Sequence, residues 1–178
     1  GYRNLVKLSS LGYTEGFYTK PRIDRELLAA HSEGIIVSSA CLAGEVATHL
    51  MADRIDEARE AAAWYAELFK GRYFLEVQAH TSEGQATLNA KVLSLADDLG
   101  LPAIATNDTH FLRHEDHDAH DVLLCIGLGK DRNDRDRMRY DDGLYFKSAY
   151  EVRPFFPGRD DLLTNTLAIA DSVDVQFE

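Results

Sequence analysis

Three short apolar runs limit what this chain can fold into: Ile35-Ile36-Val37, Tyr73-Phe74-Leu75-Glu76-Val77 with its alternating pattern, and Ala103-Ile104-Ala105. Each follows a stretch of helical periodicity closed by a glycine, at Gly34, Gly71 and Gly100. Runs this short between turn residues read as buried strands, here over 35–38, 73–78 and 102–106. In the middle run Tyr73, Leu75 and Val77 alternate with Phe74, Glu76 and Gln78, so the two sets lie on opposite faces. The stretches before the runs read as helices. Asp24 caps one to about residue 33, with Leu27 and Leu28 inward. Asp53 starts another, with Ile55, Ala58, Ala62, Tyr65 and Leu68 at helical spacing. Thr81 or Ser82 caps a third, whose stripe is Leu88, Val92, Leu95 and Leu99. A marginal helix over 2–11, with Leu5, Leu8 and Leu11, precedes them. Helix followed by strand three times over, with short turns, predicts an α/β fold with parallel strands and right-handed crossovers.

In parallel sheets and barrels, chemistry gathers where the strands end. Here those ends carry Cys41, His80, and Asp108 with His110. Asp108 and His110 are two apart, so in extended backbone they point to the same side. Alone, that pair also fits an Asx turn beside a surface histidine. With a thiol and a second imidazole at neighbouring strand ends, the donor set suits zinc, or a mixed zinc and manganese site.

The remainder reads as support. Residues 115–126 predict a helix with Val122, Leu123 and Ile126 inward and Cys125 as a core thiol. His114, His117 and His120 cluster near its start. His117 and His120 have the spacing to grip a metal, but without a third ligand they fit a hydrated face or a bond to a backbone carbonyl. Residues 130–142 are rich in Asp and Arg and lack apolar periodicity, which predicts a solvated, partly mobile connection. Asp142-Gly143 between Tyr140 and Leu144 hints at a hairpin. Ser148 caps a short helix, and a last helix over about 160–173 presents Leu163, Leu167 and Ala170. The aromatic and basic loop at 17–22 reads as a packed loop with solvated charges, a phosphate contact being the rarer use of such a segment. The formal net charge of -11 argues against holding nucleic acid by bulk electrostatics. Two distant cysteines without framework spacing predict reduced thiols and a cytoplasmic location. The chain has no membrane-length apolar run and no signal peptide. It opens without Met, and both ends read as cut from something longer.

Five separated segments carry a resemblance: Gly-Tyr-x-Asn-Leu-x-Lys-Leu-Ser-Ser at 1–10, Glu-Gly-Phe-Tyr-x-Lys-Pro-Arg-Ile-Asp at 15–24, Cys-Leu-Ala-Gly-Glu-Val at 41–46, Ala-Thr-Asn-Asp-x-His at 105–110 and Ala-His-Asp-x-Leu-Leu-Cys-Ile at 119–126. Together they closely resemble the polymerase and histidinol phosphatase (PHP) domain of bacterial DNA polymerase III alpha subunits. The resemblance implies part of a distorted (β/α)7 barrel, truncated at its N-terminus and leaving by an α-helical exit. It implies that Cys41, Asp108 and His110 are the late ligands of a zinc or manganese cluster; His80 stands as a fourth candidate at the mouth. The family's earlier ligands, a His-x-His pair, an Asp and further His and Glu, have no counterpart after Gly1. It further implies a division into the C-terminal part of the PHP domain at 1–128 and an exit at 129–178 toward a magnesium-dependent polymerase palm.

Three functions follow as expectations. The first is a metal-dependent 3′–5′ proofreading exonuclease half-site within a DNA-directed DNA polymerase, with DNA, a sliding clamp and an exonuclease subunit as partners and no membrane. The second is a catalytically inactive scaffold that docks a separate exonuclease subunit. The third, weakened by polymerase-like motifs at both ends, is a stand-alone PHP phosphoesterase. As part of such a polymerase, the isolated chain is expected to be inactive.

Overall fold

Three parallel strands run in the order β1 (Val37–Ser38), β2 (Tyr73–Gln78) and β3 (Ala103–Thr106). In this computed structural model, which describes residues 1–176, β1 pairs Val37 with Tyr73, and β2 pairs Leu75 with Ala103 and Gln78 with Thr106. The last two residues of the expected C-terminal exit, 177–178, lie outside the described ones. The expected strands are all present, and the first is shorter than its apolar run. Ile35 and Ile36 run into β1 without pairing as strand.

The odd face of β2 makes the core. Leu75 and Val77 are fully buried, packed with Val46, Leu50, Ala58, Ala62, Leu88 and Val92. Burying a leucine of this kind stabilises the fold by about 1.5–3 kcal/mol. The helices that cover this face are α3 (Glu45–Met51), α4 (Ile55–Leu68) and α5 (Gln85–Leu99). α1 (Tyr2–Thr14) and α2 (Arg25–Ala30) come first, and the Asp24 carboxylate caps α2 by accepting from the Leu27 amide. After β3 come α6 (His117–Leu128), α7 (Ala149–Val152) and α8 (Asp161–Ser172).

Several helix boundaries differ from the sequence reading, each for a local reason. α3 was not expected: its apolar positions Val46, Ala47 and Leu50 span barely two turns and follow the Cys41 turn directly. Asp53 does not start α4. It sits at positive φ, 55°, and its carboxylate takes the Lys91 ammonium instead. Neither Thr81 nor Ser82 caps α5. Gly84 holds that position in left-handed backbone, and the Thr81 hydroxyl donates to Asp141 at 2.9 Å. α1 continues through Gly12 to Thr14, while α2 stops at Ala30, short of residue 33.

The C-terminal third departs furthest. α6 turns Asp121 and Cys125 inward and leaves Leu123 64% and Ile126 72% exposed. In α8 the fully buried residue is Leu162, while Leu167 is exposed, and Asn165 Nδ2 donates to the Ala103 carbonyl at 2.8 Å. Asp142-Gly143 does form a turn, but no hairpin follows. Tyr145 bridges Phe111 in parallel, because the Leu144 carbonyl takes the His110 amide at 2.8 Å. The segment 130–142 is anchored rather than loose: the Arg137 side chain is 4% exposed and grips Asp121. Ser148 does cap α7, in a reciprocal box with Glu151.

Candidate metal half-site at the strand mouth

Parallel pairing places the C-terminal ends of the strands along one edge of the sheet. Ser38 lies level with Phe74, so β1 ends earlier than β2 and β3, which finish together at Gln78 and Thr106. The chain leaves β1 through a bend to Cys41, leaves β2 through Ala79 to His80, and leaves β3 through Asn107 to Asp108 and His110.

Asp108 and His110 form the best-defined part of this edge. Asp108 sits at φ 33°, an unusual conformation for a side chain-bearing residue, and its carboxylate is exposed. His110 Nδ1 donates to the Asp108 carbonyl at 2.7 Å, and its ring lies 3.9 Å from Oδ1 of the same residue. Spending Nδ1 on a carbonyl leaves the lone pair on Nε2, the tautomer in which an imidazole can accept a metal through that nitrogen. Asn107 is buried beneath them, its amide donating to the Gly143 carbonyl at 3.1 Å and the Tyr145 carbonyl at 2.5 Å.

His80 is held in a different way. The even face of β2 presents Glu76, Gln78 and His80 in a row. Glu76 accepts from Ser38 on β1 and from Thr106 on β3 at 2.6 Å, so one carboxylate ties all three strands. Gln78 Nε2 donates to Glu76 at 3.4 Å, and Gln78 Oε1 accepts from His80 Nε2 at 3.0 Å. That direction places the proton of His80 on Nε2; its Nδ1 is buried without a partner. Burial pushes His80 below the usual histidine range, opposed by the charges of Asp108 and Asp141. His80 is therefore neutral, and within the electrostatic reach of Asp108 and His110.

A cleft of about 520 Å³ opens beside Asp108, lined by Glu76, Thr106, Asn107 and Lys147 among others. The Lys147 ammonium bonds the Gly143 carbonyl, lies 3.3 Å from Asn107 Oδ1, and sits 4.3 Å above the Tyr145 ring. Burial lowers its pKa, against nearby Asp141, Glu151 and Asp142. Sequence reasoning missed Lys147 and Glu76. Glu76 was legible in principle, as the one carboxylate inside an otherwise strand-like run.

Cys41, free and half-buried, is not drawn into a closed cluster. Among the described residues no three His, Cys, Asp or Glu side chains converge closely enough to hold a metal ion. The edge thus carries a carboxylate and an imidazole side by side on Asp108 and His110, with the Cys41 thiol on the neighbouring turn. Those donors match zinc or manganese in type: an exposed carboxylate on Asp108 and, on His110, an imidazole whose Nδ1 lies 3.9 Å from that carboxylate. His117 makes a backbone bond of the kind its spacing also allowed: its Nε2 donates to the Tyr140 carbonyl at 3.1 Å. The loop at 17–22 remains exposed, with Arg22 over the Tyr18 ring at 5.5 Å.

Residues 1–80 match the PHP domain family. Over 99% of its length the chain is 43% identical to the DNA polymerase III subunit alpha of Treponema pallidum. It is 37% identical over 98% of its length to that of Borreliella burgdorferi, and 40% identical over 99% to that of Thermus aquaticus. The chain spans about 15% of the length of these relatives. No helix among the described residues is long and apolar enough to cross a membrane.

Proposed function

Because residues 1–80 carry PHP-domain sequence and the whole chain is related to part of the DNA polymerase III alpha subunit, we propose that it forms the C-terminal part of a PHP barrel in such a subunit. In this reading Asp108 and His110, with Cys41, make one wall of a metal-dependent 3′–5′ exonuclease site. The observation that carries it is the Asp108–His110 pair, whose Nδ1 is spent on a carbonyl and whose Nε2 is free. A bound zinc or manganese ion supplies Lewis-acid activation of water and neutralises phosphate charge. The chain's own part is to hold that ion through Asp108, His110 and Cys41, and to present Lys147 across the cleft to a phosphate. His80, neutral and fixed by Gln78, stands beside them as a hydrogen-bond acceptor. Upstream residues of the subunit complete the barrel and the ligand set. DNA, the sliding clamp and an exonuclease subunit are the partners this assigns, and the cytoplasm is the location.

Two measurements test it. Dialysis against zinc followed by elemental analysis should find weak uptake by the chain, lost in the Cys41→Ser, Asp108→Asn, His110→Ala triple variant. On a 3′-labelled primer with manganese or zinc, the chain alone should release nothing. An alpha subunit carrying this sequence should trim the primer, and Asp108→Asn in it should abolish trimming. Equal zinc uptake by the triple variant, or trimming by the chain alone at the subunit's rate, sinks the assignment.

A second reading, a docking scaffold without chemistry of its own, is favoured by one feature. α6 exposes Val122, Leu123 and Ile126 on one face, an apolar patch suited to a protein contact. A subunit that retains metal and binds its exonuclease partner but never trims a primer would select this reading.

A further inference from the structure

We propose that Tyr140 is a positioning residue for His110, so that a residue of the charged connector aims the imidazole of the strand mouth; the metal role of His110 rests on the reading above. Three constraints meet on His110. Its amide donates to the Leu144 carbonyl at 2.8 Å, its Nδ1 donates to the Asp108 carbonyl at 2.7 Å, and its ring lies against Tyr140 with centroids 4.2 Å apart at 34°. The first two fix the main chain and one ring nitrogen. Rotation about the last side-chain bond is limited by a ring face, and Tyr140 supplies it. His120 rests against both rings, 5.9 Å from His110 and 5.4 Å from Tyr140.

Tyr140 is itself held from several sides. His117 Nε2 donates to its carbonyl at 3.1 Å, and the His117 ring packs on Phe111 at 5.7 Å. Upstream, Arg137 ties the connector to α6 through Asp121. Downstream, the Phe146 amide donates to the Phe111 carbonyl at 3.2 Å. The connector therefore crosses the mouth between two anchors, with Tyr140 laid on the candidate ligand. Groups that orient a ligating imidazole typically change metal affinity by about 10–100-fold when removed. Here a ring face replaces the more usual hydrogen-bonded carboxylate.

The test reads His110 directly, by nitrogen-15 spectra of the histidine rings near pH 8 without metal, then by zinc titration. The native chain should carry its His110 proton on Nδ1, with ring protons shifted by the Tyr140 face. Tyr140→Leu should lose that shift and move the proton toward Nε2, while amides of β2 and β3 keep their positions. Tyr140→Phe should retain both signatures. Zinc affinity should fall by ~10-fold in Tyr140→Leu and hold in Tyr140→Phe. If the native chain takes up no zinc but the Leu variant still shifts the proton, the metal reading fails and the positioning role stands. Unchanged His110 signals in Tyr140→Leu overturn the proposal. A native His110 protonated on Nε2 overturns it without any variant.

Discussion

Arg137 clasps Asp121 with both terminal guanidinium nitrogens, at 2.5 and 2.7 Å, although sixteen residues and the end of a helix separate them. The pair turns the polar side of α6 inward and sends its apolar residues out, the reverse of what amphipathic patterning alone dictates. It also converts a segment with the composition of a solvated tether into an ordered strap.

Arg137→Gln should therefore destabilise the chain, lowering the melting temperature by an amount on the order of several degrees at pH 7. The hydrogen bond from Arg137 holds the Asp121 carboxyl below its usual range. A depressed folded-state pKa gives stability that is present above the unfolded value, about 3.9, and is lost as pH falls through the folded value. The native and variant melting curves should thus differ at neutral pH and converge in acid. A gap that stays constant down to pH 2 would show that Asp121 ionisation has no part in it.

Leu75→Ala should cost about 2–5 kcal/mol, because the side chain is fully buried where β2 meets the helices. Urea unfolding followed by circular dichroism measures it. A cost under 1 kcal/mol would mean that the core collapses around the deletion.

Glu151 should titrate at about 2, pulled down first by hydrogen bonds from the Ser148 hydroxyl and amide and then by the Tyr145 hydroxyl. Its support for α7 is present above the ordinary carboxylate value of 4.5 and disappears as pH falls through about 2. Carbon-13 carboxyl titration checks the value. Ser148→Ala should raise it toward the ordinary range.

Both cysteines should be free, and they should react at different rates. Cys41 is half-buried in a bend, whereas Cys125 is buried in α6 beneath the Arg137 strap. A thiol reagent should modify Cys41 in the native chain and Cys125 only after unfolding. Two equally fast thiols would place α6 wrongly.

The three strands were legible because each apolar run is bounded by a glycine and the middle one alternates cleanly. The edge they share was legible with them, and so was the place of Cys41, His80, Asp108 and His110 just past the strand ends. What local pattern could not report were facts made by distant partners. Asp121 faces inward only because Arg137 meets it, and Tyr145 pairs with Phe111 only because Leu144 caps the His110 amide. The short helix α3 was lost for a plainer reason: two turns are too few for periodicity to register. Closure of a cluster also depends on residues far apart, and among the described residues no three His, Cys, Asp or Glu side chains come together.

The ring that rests on His110 belongs to a residue thirty positions later in the chain. During synthesis the N-terminal parts of a protein emerge and fold first. Asp108 and His110 thus exist as a pair before the Tyr140 ring reaches the imidazole, and the packing of this edge is completed only when the ribosome has delivered the strap. Any boundary drawn just after His110, whether by a protease, a gene fusion or an evolutionary rearrangement, would keep Asp108 and His110 and lose the ring that rests on the imidazole.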